Sequence, residues 1–453
     1  MKKKHELDMT KGNILWSIML FALPLIAGNL LQLLYNTADM IVVSRWAGSN
    51  AMASVGAPGS LSGLIVNICI GLSIGANVVV SRSYGSGHDD VMHRAVHTSM
   101  LVGLISGLCA MIVGISFARP LLTLMNTPQG EVMEGAVLYM RLYFAGIPAT
   151  MVYNFGAAVL RSVGDTKRPL YILSATGVIN VLLNLLFVIK FHMGVAGVAI
   201  ATMVANYLSA IAVVRILIKA DGAYKLMPSA LRIYSKEFGE ILRIGLPSAL
   251  QSSMYGIANT LIQSTVNSFG AAAMAGCAAG ANIQAFAQTS MSAFHSTTLT
   301  AVSQNYGAKN EKRIYKAIFS SVFCVTVVGF TLGVLLVIFA GPLLGIYITD
   351  SPEAIEYGII RMTVVGLPYF LCGIQDVLTA SLRGLGYSGI TAVYSMIGLC
   401  GLRLLWIALV LPFHRSIGML FMCMPVSWLA VIVMFSACII VLRKKAMARM
   451  YEL

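Results

Sequence analysis

Residues 15–43 read LWSIMLFALPLIAGNLLQLLYNTADMIVV, an apolar run longer than the about 20 helical residues that cross a bilayer. Asn29, Gln32, Asn36 and Asp39 interrupt it at intervals of three, four and three, so a helix gathers them into one polar stripe. A carboxylate at the bilayer centre costs about 2.5–3.5 kcal/mol on insertion scales, so the stripe must face protein or a water-filled cavity. Asp39 is therefore the first candidate for a functional charge.

The rest of the chain has the same character. Of 453 residues, 58% are hydrophobic and 11% charged, against about 25% charged in a soluble domain. This is the composition of an integral membrane protein. The net charge of +14 does not indicate nucleic acid, because Lys and Arg fall in short runs between apolar segments, as in cytoplasmic loops. Such segments lie near 15–43, 53–80, 95–118, 137–160, 169–190, 195–218, 241–267, 272–302, 315–340, 357–381, 389–412 and 417–442, which predicts twelve spans. Alternate connections carry 24 and six basic residues, the richer side including Lys2, Lys3, Lys4, Lys11, Lys312, Arg313 and Arg383. Both termini are accordingly placed in the cytoplasm, in a plasma (inner) membrane protein whose first helix is not cleaved. The eight cysteines lie in apolar runs without a CxxC pair and read as small core residues.

The second half repeats the first. ILWSIMLFALP ending at Pro24 matches EILRIGLP ending at Pro247, and SRSYGSGHDD around Tyr84 matches SQNYGAKNEK around Tyr306. YMRLYFAGIP at Pro148 matches IIRMTVVGLP at Pro368, and VLRSVGD at Arg161 matches SLRGLGY at Arg383. A six-helix unit present twice enters from the same side each time, which predicts lobes related by a pseudo-two-fold axis along the membrane normal. The expected organisation is an N-terminal lobe over 1–218, a basic linker over 219–236 and a C-terminal lobe over 237–453, with a substrate path between the lobes.

The run TKGNILWSIMLFALPLIAGNLLQLLYNTADMIVVSRWAG, the phrases VLRSVGDTKRP and SLRGLGYSG, and the twice-six plan resemble the multidrug and toxic compound extrusion (MATE) family, bacterial branch. The resemblance covers nearly the whole chain. It implies export of a cationic or amphipathic compound, by a monomer in the lipid bilayer, against entry of protons or sodium ions. It also implies an ion-coupling site at the positions Tyr35, Asp39, Asn154, Asn180, Asn184 and Thr202. Some relatives have an acid where this chain has Asn184, so one carboxylate is missing and protons are favoured over sodium.

Residue spacing supports some of that set directly. Asn180 and Asn184 lie four apart on one face of the fifth span, as do Thr202 and Asn206 in the sixth; interhelical packing is the alternative role. Asp376 in GIQDVLTASLRG is the second acid within a span, and the repeat aligns it with Asn154. Relatives pair an acid here with one in the seventh span, but LPSALQSSMYGIANTLIQSTVN has none. Tyr255, Asn259, Gln263 and Asn267 form a polar stripe there instead. Asp376 is thus read either as a cation or substrate site or as the partner of Arg403, taken as the one basic residue deep in a span. Gln284, Gln288, Ser292 and His295 share one side of the eighth span and line a cleft or pack. Pro24 and Pro247 remove a backbone hydrogen bond within the opening spans and permit bending. His93 and His97 have the spacing of metal ligands, yet belong to a loop of solvated histidines; no metal site and no cofactor are expected.

No GxxxxGKS or GxxxxGKT occurs, so an ion gradient and not ATP is the expected fuel. The reading is a secondary multidrug antiporter coupled to protons, with sodium possible. A lipid-linked oligosaccharide flippase of related fold would want several basic residues in its cavity, where only Arg403 qualifies. A membrane-embedded enzyme would need a convergent acid–base pair, for which His295 and Asp376 are the sole candidates.

Overall fold

The computed structural model describes residues 6–46, 54–56, 58–125, 127–349 and 351–452, and all regular structure in them is helical. Lys2, Lys3 and Lys4 of the charge count, Ala53 at the start of the second apolar segment, and the outer lobe limits Met1 and Leu453 lie outside the described residues. The first repeat contains α1 (Ile14–Trp46), α2 (Gly59–Ser86), α3 (Asp89–Ser116), short α4 (Ala118–Leu124), α5 (Glu131–Ser162), α6 (Lys167–Asn184) and α7 (Gly194–Ile218). The second contains α8 (Ser235–Asn267), α9 (Ala271–Gly307), α10 (Glu311–Ile338), short α11 (Ala340–Tyr347), α12 (Pro352–Arg361), α13 (Tyr369–Gly384), α14 (Ser388–Ser395), α15 (Leu402–Leu405) and α16 (Ile417–Glu452). π-Helical turns extend α6 over Leu185–Lys190, join α12 towards α13 over Met362–Gly366, and flank α15 over Met396–Gly401 and Trp406–Val410.

With short α4 and α11 left out and α12–α13 and α14–α15 each counted as one segment, this is a twelve-helix, all-α membrane protein in two sixes. Among the described residues nine helices are long and apolar enough to cross a membrane, and the pair α12–α13, bent by 44°, makes a tenth. The remaining two, α8 and α9, have 33 and 37 residues. They fall short in apolar character because Gln, Asn, Ser and Thr crowd their faces.

The chain forms two compact units, Met1–Leu7 with Ala27–Ala249, and Asp8–Ile26 with Leu250–Leu453. These limits differ from the lobes drawn on the sequence. Each opening helix changes unit three residues past its proline, after Pro24 in α1 and after Pro247 in α8. Proline removes the hydrogen bond to the preceding turn, so this is where each helix is least constrained to pack as one rod.

Small residues set the helix spacing in both units, since they let backbones approach closely. In the first unit Gly103 and Gly114 lie under the rings of Phe155 and Phe144, and Gly71 meets the backbone of Ala249. In the second, Gly276 meets the Ala354 carbonyl and Gly333 that of Gly366. The linker is an ordered part of the first unit. Its Ala220, Tyr224 and Leu226 are buried, and Met227 N donates to His97 Nε2 at 3.0 Å. His97 Nδ1 lies 2.7 Å from the His93 carbonyl oxygen, so Nδ1 carries the proton and both ring nitrogens are engaged. His97 alone thus ties the linker to α3, and both histidines stand on that helix and not in the loop expected from the sequence. Tyr224 donates to Glu6 at 2.9 Å, and burial, with that carboxylate beside it, pushes its phenol up. In the second unit Arg313, counted on the sequence as a loop charge, clamps the N-terminal segment. It donates to the carbonyls of Met9 at 2.8 Å and Gly12 at 2.9 Å.

Candidate functional site

Asp39 lies two turns before the end of α1, half-buried. The next helix to reach it is α6, whose Asn180 and Asn184 share a face because they are four residues apart. Asn184 is fully buried and its Nδ2 donates to Asp39 Oδ1. Asn180 is 6% exposed. Turned so that its amide nitrogen faces the carboxylate, as the surrounding donors and acceptors require, it donates to Asp39 Oδ1 at 2.8 Å. Its oxygen then accepts from Thr202 N of α7 at 3.3 Å. Asp39, Asn180, Asn184 and Thr202 are therefore brought together on three helices. Asn184 is also the last residue before α6 becomes π-helical, a local widening that recurs at functional sites.

Two other members of the expected set stand apart. The Tyr35 hydroxyl donates to the Ser174 carbonyl at 3.2 Å and not to Asp39. Its ring lies against Gly177, where a Cβ would overlap it, so this glycine is what lets Tyr35 dock on α6. Asn154 is half-buried on α5 and makes no hydrogen bond to a described residue. Gln32 and Asn36 are exposed. What the sequence did not single out is the apolar wall one turn past Asp39. Val42, Val55, Val188 and Val198 form a buried cluster with Tyr139, Leu185 and Val195 packed on it, and Tyr139 is an electrostatic neighbour of Asp39. Val42 is three residues from Asp39, a spacing that could have flagged it.

The hydrogen-bond partners of Asp39 are neutral amides, and among the described residues no Lys, Arg or His pairs with it. Buried carboxylates ordinarily have a fixed cation beside them. Here the charge is held by donors alone, while Asn184 Oδ1 is left without a donor. No fixed charge among the described residues neutralises this group.

In the second unit the polar residues sort differently. The Arg403 alternative for Asp376 is not realised: Arg403 Nε donates to Ser427 Oγ at 3.0 Å, and no ion pair joins the two. Asp376 is half-buried and makes no hydrogen bond to a described residue. Arg403 is also not alone inside the helices, which corrects the sequence reading. Arg361 donates to Gln284 at 3.1 Å and lies 4.6 Å over the Phe421 ring. Arg383, 4% exposed, donates to Gln251 at 2.7 Å and lies 3.2 Å from His295 Nε2. Both were counted among the basic residues of the connections, Arg361 although it falls within the 357–381 segment and Arg383 because it lies just past the end of it.

The polar side of α9 therefore faces α12 and α13. Gln284 meets Arg361, Gln288 accepts from Tyr369 at 2.6 Å, and His295 meets Arg383. On α8, Tyr255 accepts from Gln375 at 3.0 Å, Gln263 donates to Asn267 at 3.0 Å, and Asn259 is exposed. His295 and Asp376 form no acid–base pair, and no described group of His, Cys, Asp and Glu has the geometry of a metal centre.

The sequence model of the MatE family matches residues 24–186 and 247–409, so each repeat is matched once, from its proline onward. Similar curated proteins include the probable multidrug resistance protein YpnP of Bacillus subtilis, 27% identical over 84% of each chain. Another is the probable multidrug resistance protein NorM of Thermotoga maritima, 23% identical over 88% of this chain and 86% of that one. A solved structure described as the outward-facing conformation of a multidrug resistance MATE family transporter superposes over all of both chains, with a TM-score of 0.90 at 20% identity.

Proposed function

The chain belongs to the MatE family, whose members are transporters and not enzymes, and on that premise we propose a secondary antiporter that exports cationic or amphipathic organic compounds in exchange for protons. The observation that carries this reading is Asp39, a carboxylate inside a membrane helix held by two amide nitrogens and no fixed cation. The proton is the preferred mobile charge because both amides aim nitrogen at the carboxylate. The oxygens on offer fall well short of the cage a hard cation requires. One charge crossing 100 mV releases about 2.3 kcal/mol, enough to drive an uphill efflux step. The excess of basic residues in alternate connections supports a cytoplasmic position for both termini. The names of the bacterial relatives support drug-like substrates.

Arg361 and Arg383 add basic residues of the kind the lipid-linked oligosaccharide flippase reading asks for. Arg361 and Arg403 are engaged by Gln284 with Phe421 and by Ser427, which leaves the antiporter as the better fit.

The test is ethidium efflux from loaded cells or inverted vesicles under separate proton and sodium gradients. Proton-driven efflux in the wild type that collapses in Asp39→Asn supports the proposal. Efflux driven by sodium alone overturns the proton assignment, and an Asp39→Asn variant that pumps like wild type overturns the site.

A further inference from the structure

Arg383 is a buried guanidinium with neutral partners. Its Nη2 donates to Gln251, which in turn donates to Ser395 Oγ at 2.7 Å, and its Nη1 faces His295 Nε2. Nε is fully buried and has no acceptor. Among the described residues no carboxylate lies within ion-pairing distance of it. Leaving a buried charge without a counter-charge is expensive, and the unfilled Nε edge is the one that, with an Nη nitrogen, receives a carboxylate in bidentate fashion.

Asp376 precedes Arg383 by seven residues on α13, so the two share a face about 10 Å apart along the axis. The residues between them on that face, Thr379 and Ala380, are small. Each charge feels the other's field, yet neither is quenched by direct contact. The first repeat keeps the arginine at the matching position, Arg161, but carries Asn154 in place of the acid. The opposed pair is thus a property of the second unit.

We propose that Arg383 and Asp376 form a bipolar substrate site on α13, in which Arg383 takes the carboxylate and Asp376 the ammonium of a zwitterionic organic compound. This deepens the antiporter reading and rests on it: Asp376 admits cations generally, and Arg383 decides whether a substrate that also bears an acid is accepted. Gln251 and His295 hold the guanidinium in place, and Ser395 orients Gln251.

The test uses a fluorescent zwitterion with one amine and one carboxylate, its methyl ester, which keeps only the amine, and ethidium. Binding to purified wild type, Arg383→Gln, Arg383→Lys and Asp376→Asn is measured by equilibrium dialysis, alongside efflux of all three compounds. Arg383→Gln is expected to weaken the zwitterion about tenfold or more, the loss of a charge-assisted pair, while ester and ethidium stay within about twofold of wild type. Arg383→Lys should recover part of the zwitterion affinity, and Asp376→Asn should weaken all three. Equal loss of zwitterion and ester in Arg383→Gln, or no loss of either, overturns the proposal. If wild type exports none of the compounds the antiporter reading fails, and the dialysis series still decides whether Arg383 discriminates between acid and ester.

Discussion

The two repeats carry their intramembrane acids on different helices and treat them differently. In the first unit Asp39 stands on the opening helix, held by amide nitrogens from α6 and walled off by valines one turn on. In the second, Asp376 stands on the fourth helix of the repeat, without a hydrogen bond to a described residue, with a guanidinium two turns after it and a 44° bend in the helix about two turns before it. The same GIP/GLP phrase lies inside unbroken α5 at Pro148 and at the break before α13 at Pro368. The two copies of the scaffold thus differ both in polar chemistry and in the continuity of the fourth helix. Under the roles proposed above, one unit handles the ion and the other reads the substrate.

The sharpest way to break this comparison is to neutralise each acid in turn. Asp39→Asn should abolish the dependence of efflux on the proton gradient, lowering the accumulation ratio about fiftyfold, the factor that one charge and 100 mV sustain. Asp376→Asn should leave that dependence in place and weaken substrate affinity. If the two variants behave alike in both assays, the division of labour is wrong. The next largest effect is expected from Asn184→Leu, which removes one donor from Asp39. A hydrogen bond to a charged group is worth about 1.5–3 kcal/mol, so proton-driven efflux at fixed gradient should fall at least about tenfold, while a matching change at exposed Asn259 leaves it unaltered.

Smaller effects test the scaffold. Gly177→Ala drives a methyl group into the Tyr35 ring and should cost about 1–3 kcal/mol, as overpacking does, read as a lower midpoint of thermal unfolding in detergent. His97→Ala removes the acceptor of Met227 N. It should cost about 1 kcal/mol and leave transport unchanged, but trypsin should cut the linker faster at Lys225 and Arg232.

Much of the ion site could be read from the chain because a bilayer makes every polar residue conspicuous. Asp39, Asn180, Asn184 and Thr202 stand out against apolar neighbours, and their spacings place them on single faces. Tyr35 shows where such reading stops. A hydroxyl able to reach Asp39 takes the Ser174 carbonyl instead, a choice settled by the notch at Gly177 and invisible in a linear pattern. Arg383 and Arg361 were misplaced for a different reason. A basic residue near a span end is assigned to the loop by default, and only the neighbouring helices reveal that Gln251, His295 and Gln284 are waiting for it. Likewise the stripe on α9 shows the same periodicity whether it lines a cleft or seams two helices.

The membership of Asp8–Ile26 in the second unit has a consequence for biogenesis. That stretch is made before the whole of Ala27–Ala249, yet the rest of its unit starts only at Leu250. At about 5–20 residues per second of synthesis the wait is on the order of ten seconds or more. Through that interval buried Met9 and the backbone that Arg313 will grip must be kept by the insertion machinery or by lipid. The final assembly of this protein is therefore a late event, completed from the last-made half backwards.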